Sequence, residues 1–202
     1  LESQNYHRLP VKKTATRFGW MGDKGKECFL IGNQFIDSDG EITQTSIDER
    51  AEQWDTDGVV FRGNSIGENQ IAEGYQPVGN YGDWVNAVVT ASTYPVVMAT
   101  IYASLTAPML SILGCKNFIF SIDGDTSYGK TSAAGAGASV WGNPDISSPG
   151  AAMVTWGTTL YAIERRAAAL RGLAVVLDDT KLAPKVRGEQ EIIPKVIYMV
   201  AS

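Results

Sequence analysis

An α/β fold built on a largely parallel sheet is the class this sequence predicts, and three observations predict it. From Phe118 onward, short apolar runs alternate with helical stretches in the order β-α-β-α-β. A glycine-bounded loop follows the first of those runs and opens directly into a helix. A later apolar run, Leu173–Leu177, ends in two adjacent acids. The chain ahead of this core differs in character, so two regions are expected. Residues 1–79 form a small β-rich N-terminal region, and 80–202 hold a helical lead-in followed by the α/β core.

The elements follow in order. Cys28–Ile31 and Gln34–Ile36 are short apolar runs, and Asp39-Gly40 is a turn signal ahead of Glu41–Thr45. Val59–Phe61 is another candidate strand, bounded by Asp57-Gly58 and Gly63-Asn64. A glycine-rich link, Gly74 to Gly82, leads to Asp83, the expected N-cap of a helix from Trp84. A second helix is expected from Pro95, which suits a first turn, to Leu113, with Gly114 as its stop. Pro108 should bend it. Then come a strand at Phe118–Ile122, a small-residue helix at Lys130–Trp141 and a strand at Ala152–Trp156. A helix at Thr158–Leu170, the strand Leu173–Leu177 and a helical stretch within 187–201 complete the order.

Composition excludes several classes. The net charge is −5, with 8 basic and 14 acidic residues up to Cys115 against 9 and 8 beyond it. A protein coated in basic DNA-binding surface is therefore not expected, and any nucleic-acid contact should come from a few placed residues. His7 is the only histidine, which removes a histidine-based metal cluster and a Ser-His-Asp triad from this stretch. Cys28 and Cys115 have no CxxC spacing, so free thiols in a reducing cytoplasm are expected. Position 1 is Leu, as in a piece of a longer protein. Trp84–Cys115 carries no charged residue, but Pro95, Pro108 and scattered hydroxyls interrupt it. Two buried helices are expected there rather than a membrane span.

The decisive segment is Gly124-Asp125-Thr126-Ser127-Tyr128-Gly129-Lys130-Thr131, a full G-x-x-x-x-G-K-T match followed by Ser132. Its glycines allow turns that aim successive N–H groups into one concavity, and the helix behind adds its positive end. A polyphosphate suits such a cradle, with ATP as the expected ligand. Lys130 would reach the β- and γ-phosphates and the Thr131 hydroxyl would hold Mg2+. Leu173–Leu177 followed by Asp178-Asp179 fits the acid-tipped strand that accompanies this loop. Asp178 is the expected metal contact, and Asp179 the group that orients or deprotonates the attacking water. The Lys130–Asp178 interval leaves room for helix, strand and helix. That spacing places the core with the additional-strand P-loop NTPases, the AAA+ and RecA-like motors.

Other residues stay open between two roles. The run Ala133–Ala138 suits close packing on the sheet. Trp141 and Trp156 suit either buried packing or stacking on a base. Arg165, Arg166 and Arg171 suit a solvated helix face or fingers toward a neighbour's phosphates. Lys181, Lys185 and Arg187 are candidates for a DNA-facing loop.

Segments Phe120–Gly124, Ser139–Gly142, Val154–Thr159 and Val175–Thr180 together resemble the DUF927 family. The likeness extends through Leu105–Gly114 to Thr16–Trp20. It implies a helicase-like ATPase of a bacteriophage or mobile element, related to ring-shaped AAA+ helicases and working in the cytoplasm of a bacterial host. It also implies single-stranded DNA as a partner and a homo-oligomeric ring, with no membrane. In that family the helix matching Ile193–Ala201 precedes a Gly-x-Gly-Lys-x-Arg segment that this sequence does not contain. Low turnover by these residues alone is therefore expected. The alternative function is a nucleotide-gated helicase loader or initiator module without unwinding activity.

Overall fold

A computed structural model describes residues 13–22, 27–44, 59–125, 128–184 and 192–201. Strands β1 (Lys13–Ala15) and β6 (Val59–Phe61) pair in parallel. Between them in sequence, β2 (Gly19–Met21), β3 (Cys28–Ile31), β4 (Gln34–Ile36) and β5 (Ile42–Gln44) form an antiparallel meander in chain order. Gly32-Asn33 is the two-residue turn that joins Ile31 to its register partner Gln34. The strands expected at Cys28–Ile31, Gln34–Ile36 and Val59–Phe61 form with those bounds.

Helix α1 (Ile66–Gly74) begins at a capping box: Ser65 Oγ accepts from the Glu68 N–H, and Glu68 Oε2 accepts from the Asn64 N–H. Helix α2 (Tyr81–Ala91) is capped by Asn80, whose Oδ1 accepts from Gly82 and Asp83. Asp83, the expected cap, sits inside the first turn instead. Helix α3 (Pro95–Ile112) continues past Pro108. A proline there removes the donor that would satisfy the Ser104 carbonyl. The Trp141 indole N–H donates to that carbonyl instead, at 3.2 Å.

Then follow α4 (Lys130–Ser139), β7 (Met153–Thr155), α5 (Leu160–Ala169), β8 (Val176–Asp178) and α6 (Ile192–Ala201). Strands β7 and β8 pair in parallel, with Met153 opposite Val176 and Thr155 opposite Asp178. Thr159 caps α5 by accepting from the Ala162 N–H. The small residues of α4 serve a helix contact more than a sheet contact. A Cβ at Gly137 would lie 2.6 Å from Thr100 Cγ2 of α3, and the Ser104 hydroxyl donates to the Gly137 carbonyl at 2.7 Å.

One core unites residues on both sides of position 79. Phe18, Leu30, Phe61 and Tyr75 are buried with Ala134, Met153 and Leu170. The Phe18 and Phe61 rings lie 4.4 Å apart, and the Phe18 N–H donates to Ala169 O. Each such large side chain contributes about 1.5–3 kcal/mol by burial. A second cluster, Ile163, Ala183, Ile192 and Val196, packs α6 on α5 with Trp156 and Leu177 alongside.

Two further expectations fail. Phe118–Ile122 forms no strand, because no neighbouring strand lies beside it among the described residues; Phe118, Ile119 and Phe120 stay exposed. Among the described residues the parallel pairing is thus limited to two two-stranded pairs, β1-β6 and β7-β8, in a fold that is mixed α/β. The helices of the uncharged stretch are not buried either. Helix α2 buries no residue and α3 buries only Thr100, Ile101 and Ser104. Helix α3 is long and apolar enough to cross a membrane by length and composition.

Candidate functional site

The glycine-bounded loop takes its shape from its two ends. Gly124 and Gly129 have φ of 143° and 75°, which a Cβ would strain, and Gly129 is the N-cap of α4. Lys130 folds back across the loop. Its ammonium donates to the Gly124 carbonyl at 2.7 Å and also to the Asp125 carbonyl. An ammonium has three N–H donors, so one remains for a further acceptor. Thr131 and Ser132 are exposed in the first turn of α4, and Asp125 and Tyr128 are exposed in the loop. Thr126 and Ser127 lie outside the described residues.

One hydrogen bond places the far end of α4. Ala152, just before β7, donates to the Asn143 carbonyl just after α4, at 2.6 Å. The C-terminal end of α4 therefore lies near the start of β7. Ligands of α/β sheets gather at the carboxyl ends of the strands, and β8 ends at Asp178.

Asp178 closes β8 there, half-buried, and its carbonyl accepts from the Trp156 N–H at 3.0 Å. Asp179 behaves differently. It holds φ of 55°, the only non-glycine positive φ among the described residues, and its carboxylate accepts from the Lys181 N–H at 3.1 Å. It caps the short 3-10 turn Thr180–Leu182. No hydrogen bond or ion pair joins the Gly124–Lys130 loop to Asp178 or Asp179 among the described residues.

A family model described as "Domain of unknown function (DUF927)" matches residues 2–202, nearly the whole chain. The chain belongs to the DUF927 family. No curated protein matches it.

The remaining candidates of this DUF927 chain separate by what they touch. Arg165 is held within the chain: its Nε donates to Glu68 Oε1 at 2.7 Å, Nη2 donates to the same oxygen, and Nη1 donates to the Tyr161 hydroxyl. Arg166 is buried and donates to the Ala151 carbonyl at 2.7 Å. Burial pushes the neighbouring Tyr75 phenol up to about 12 despite that guanidinium, so it stays a donor to Ala152 O. Arg166 thus braces the turn before β7, while Arg165 ties α5 to α1; Arg171 is exposed. Trp141 and Trp156 pack against the first and second cores respectively. Lys181 is exposed, and Lys185 and Arg187 lie outside the described residues.

No group of three or more His, Cys, Asp or Glu that could cage a metal occurs among the described residues. The oxygen donors present, the Thr131 hydroxyl and the Asp178 carboxylate, are hard ligands. They suit Mg2+, which keeps several waters and binds one or two carboxylates with substrate phosphates. The motifs alone did not single out two residues. Glu68 fixes Arg165, and its signal was the Ser65-x-x-Glu68 spacing. Thr155 stands opposite Asp178 through a pairing between strands that no local pattern encodes.

Proposed function

We propose that this DUF927 chain is the ATP-binding and hydrolysing core of a DNA helicase or replication ATPase, acting in the cytoplasm of a bacterial host. One observation carries it: a complete G-x-x-x-x-G-K-T loop opens α4, and the parallel strand β8 ends in Asp178. Lys130 supplies charge to the phosphates, and the backbone N–H groups at the start of α4 receive their oxygens. Thr131 and Asp178 would hold Mg2+, whose bound charge offsets that developing on the transferred phosphoryl group. Asp179 orients the attacking water once its carboxylate leaves the Lys181 amide. Single-stranded DNA and a ring of identical subunits are the proposed partners, following the family likeness of the SVWG and LDDT segments.

Lys130→Ala tests the site. Calorimetry should find ATP binding lost in a variant that remains folded, and unchanged affinity would refute the assignment. DNA-stimulated ATPase and unwinding measurements on the uninterrupted protein then test the motor. ATP binding with no response to DNA at low salt favours a nucleotide-gated loader or initiator instead.

A further inference from the structure

We infer that the Thr155 hydroxyl is a positioning group for the water shell of the divalent cation that accompanies the nucleotide, acting beside Asp178. This rests on the ATP reading above and deepens it.

Thr155 and Asp178 are the last residues of β7 and β8 and stand opposite each other in register. Neighbouring strands lie about 4.8 Å apart, and paired positions point to the same face. A hydroxyl and a carboxylate are thereby set side by side at the end of the paired strands. Asp179, one residue on, is turned away in its own cap. Thr155 is half-buried, and its hydroxyl has no hydrogen-bond partner among the described residues. The oxygen is not sealed from solvent, so it is free to hold a bound water. Gly157 sits over it: a Cβ there would stand 3.4 Å from Thr155 Oγ1, so the glycine leaves the hydroxyl open on that side.

The chemistry is specific. A threonine hydroxyl both donates and accepts. Mg2+ dehydrates reluctantly, so oxygens beyond its direct ligands orient its bound waters. Thr155 would accept from one such water while Asp178 accepts from the same shell. No bond forms or breaks at Thr155.

The test is Thr155→Val, which keeps the shape and removes the hydroxyl, beside Thr155→Ser, which restores it. ATP binding is titrated by calorimetry across Mg2+ concentrations and also without Mg2+. Removing one hydrogen bond to a bound water predicts about a two- to twelvefold rise in half-saturating Mg2+ for the valine variant. Affinity without Mg2+ should be unchanged, and serine should restore the wild-type Mg2+ dependence. Thr155→Ala reads the same loss if the valine variant does not fold. An unchanged Mg2+ dependence in a folded valine or alanine variant overturns the inference. So does a loss equally large without Mg2+, which marks a merely structural role. If the wild-type chain binds no ATP, the parent reading falls and takes this one with it. ATP binding that is intact but indifferent to Thr155 removes this one alone.

Discussion

Cys28–Ile31 and Phe118–Ile122 are both short, apolar and rich in phenylalanine and isoleucine, yet only the first is a strand. Strand β3 has β2 on one side and β4 on the other, and Leu30 is 0% exposed between them. Phe118–Ile122 has no strand partner among the described residues, and Phe118 and Phe120 remain 47% and 44% exposed. The difference lies in what is next to each segment, not in what it is made of. Strand propensity mostly measures packing against cross-strand neighbours, so an apolar run is a strand only in company.

Leu30→Ala should expose that difference most sharply. Cutting a fully buried leucine from the shared core should cost about 2–5 kcal/mol, measured by urea unfolding of the whole chain. A loss below 1 kcal/mol would mean that the antiparallel meander and the rest of the chain unfold separately.

A smaller effect is expected at the bridge between the two regions. Burial alone would raise the Glu68 carboxyl. Its hydrogen bonds and charge contact with Arg165, together with the Asn64 N–H, outweigh burial and hold it below its ordinary value. A depressed carboxylate contributes stability above its unfolded pKa and loses it as pH falls through the folded one. Glu68→Gln should therefore be less stable than wild type at neutral pH. The gap should close as the pH drops below the ordinary glutamate range. Parallel stability curves down to acid would deny the ion pair any part in fixing α1 to α5.

The smallest effect should come from the unpaired segment. Phe120→Ala should change stability by no more than about 0.5 kcal/mol, by the same unfolding measurement. A cost approaching that of Leu30→Ala would mean that Phe118–Ile122 is packed in solution after all.

What the sequence made legible follows the same division. Local signals sufficed for β3, β4 and β6 and for the start of α3 at Pro95. They also located the Gly124–Lys130 loop, whose φ values and lysine bonds are local consequences of its residues. Strands β1 and β2 were missed because Lys13–Ala15 and Gly19–Met21 are short and carry little apolar pattern. Helix α1 was missed although its Ser65-x-x-Glu68 box was present to be read. The anchoring of Arg165 and the pairing of Thr155 with Asp178 depend on residues 97 and 23 positions away, beyond any local spacing rule. The left-handed turn at Asp179 was equally hidden, since aspartate tolerates that conformation without announcing it.

Helix α4 is held along most of its length. Gly137 lies against Thr100, the Ser104 hydroxyl holds the Gly137 carbonyl, and Trp141 holds Ser104. Nearer the loop, Ala133 and Ala134 are buried, and Ala134 belongs to the shared core. Thr131 and Ser132, in the first turn, face outward. The helix is therefore a fixed post on which the glycine-bounded loop is mounted. Any change of shape at the loop falls to the loop's own backbone, at Gly124 and Gly129, where no Cβ restricts the torsions.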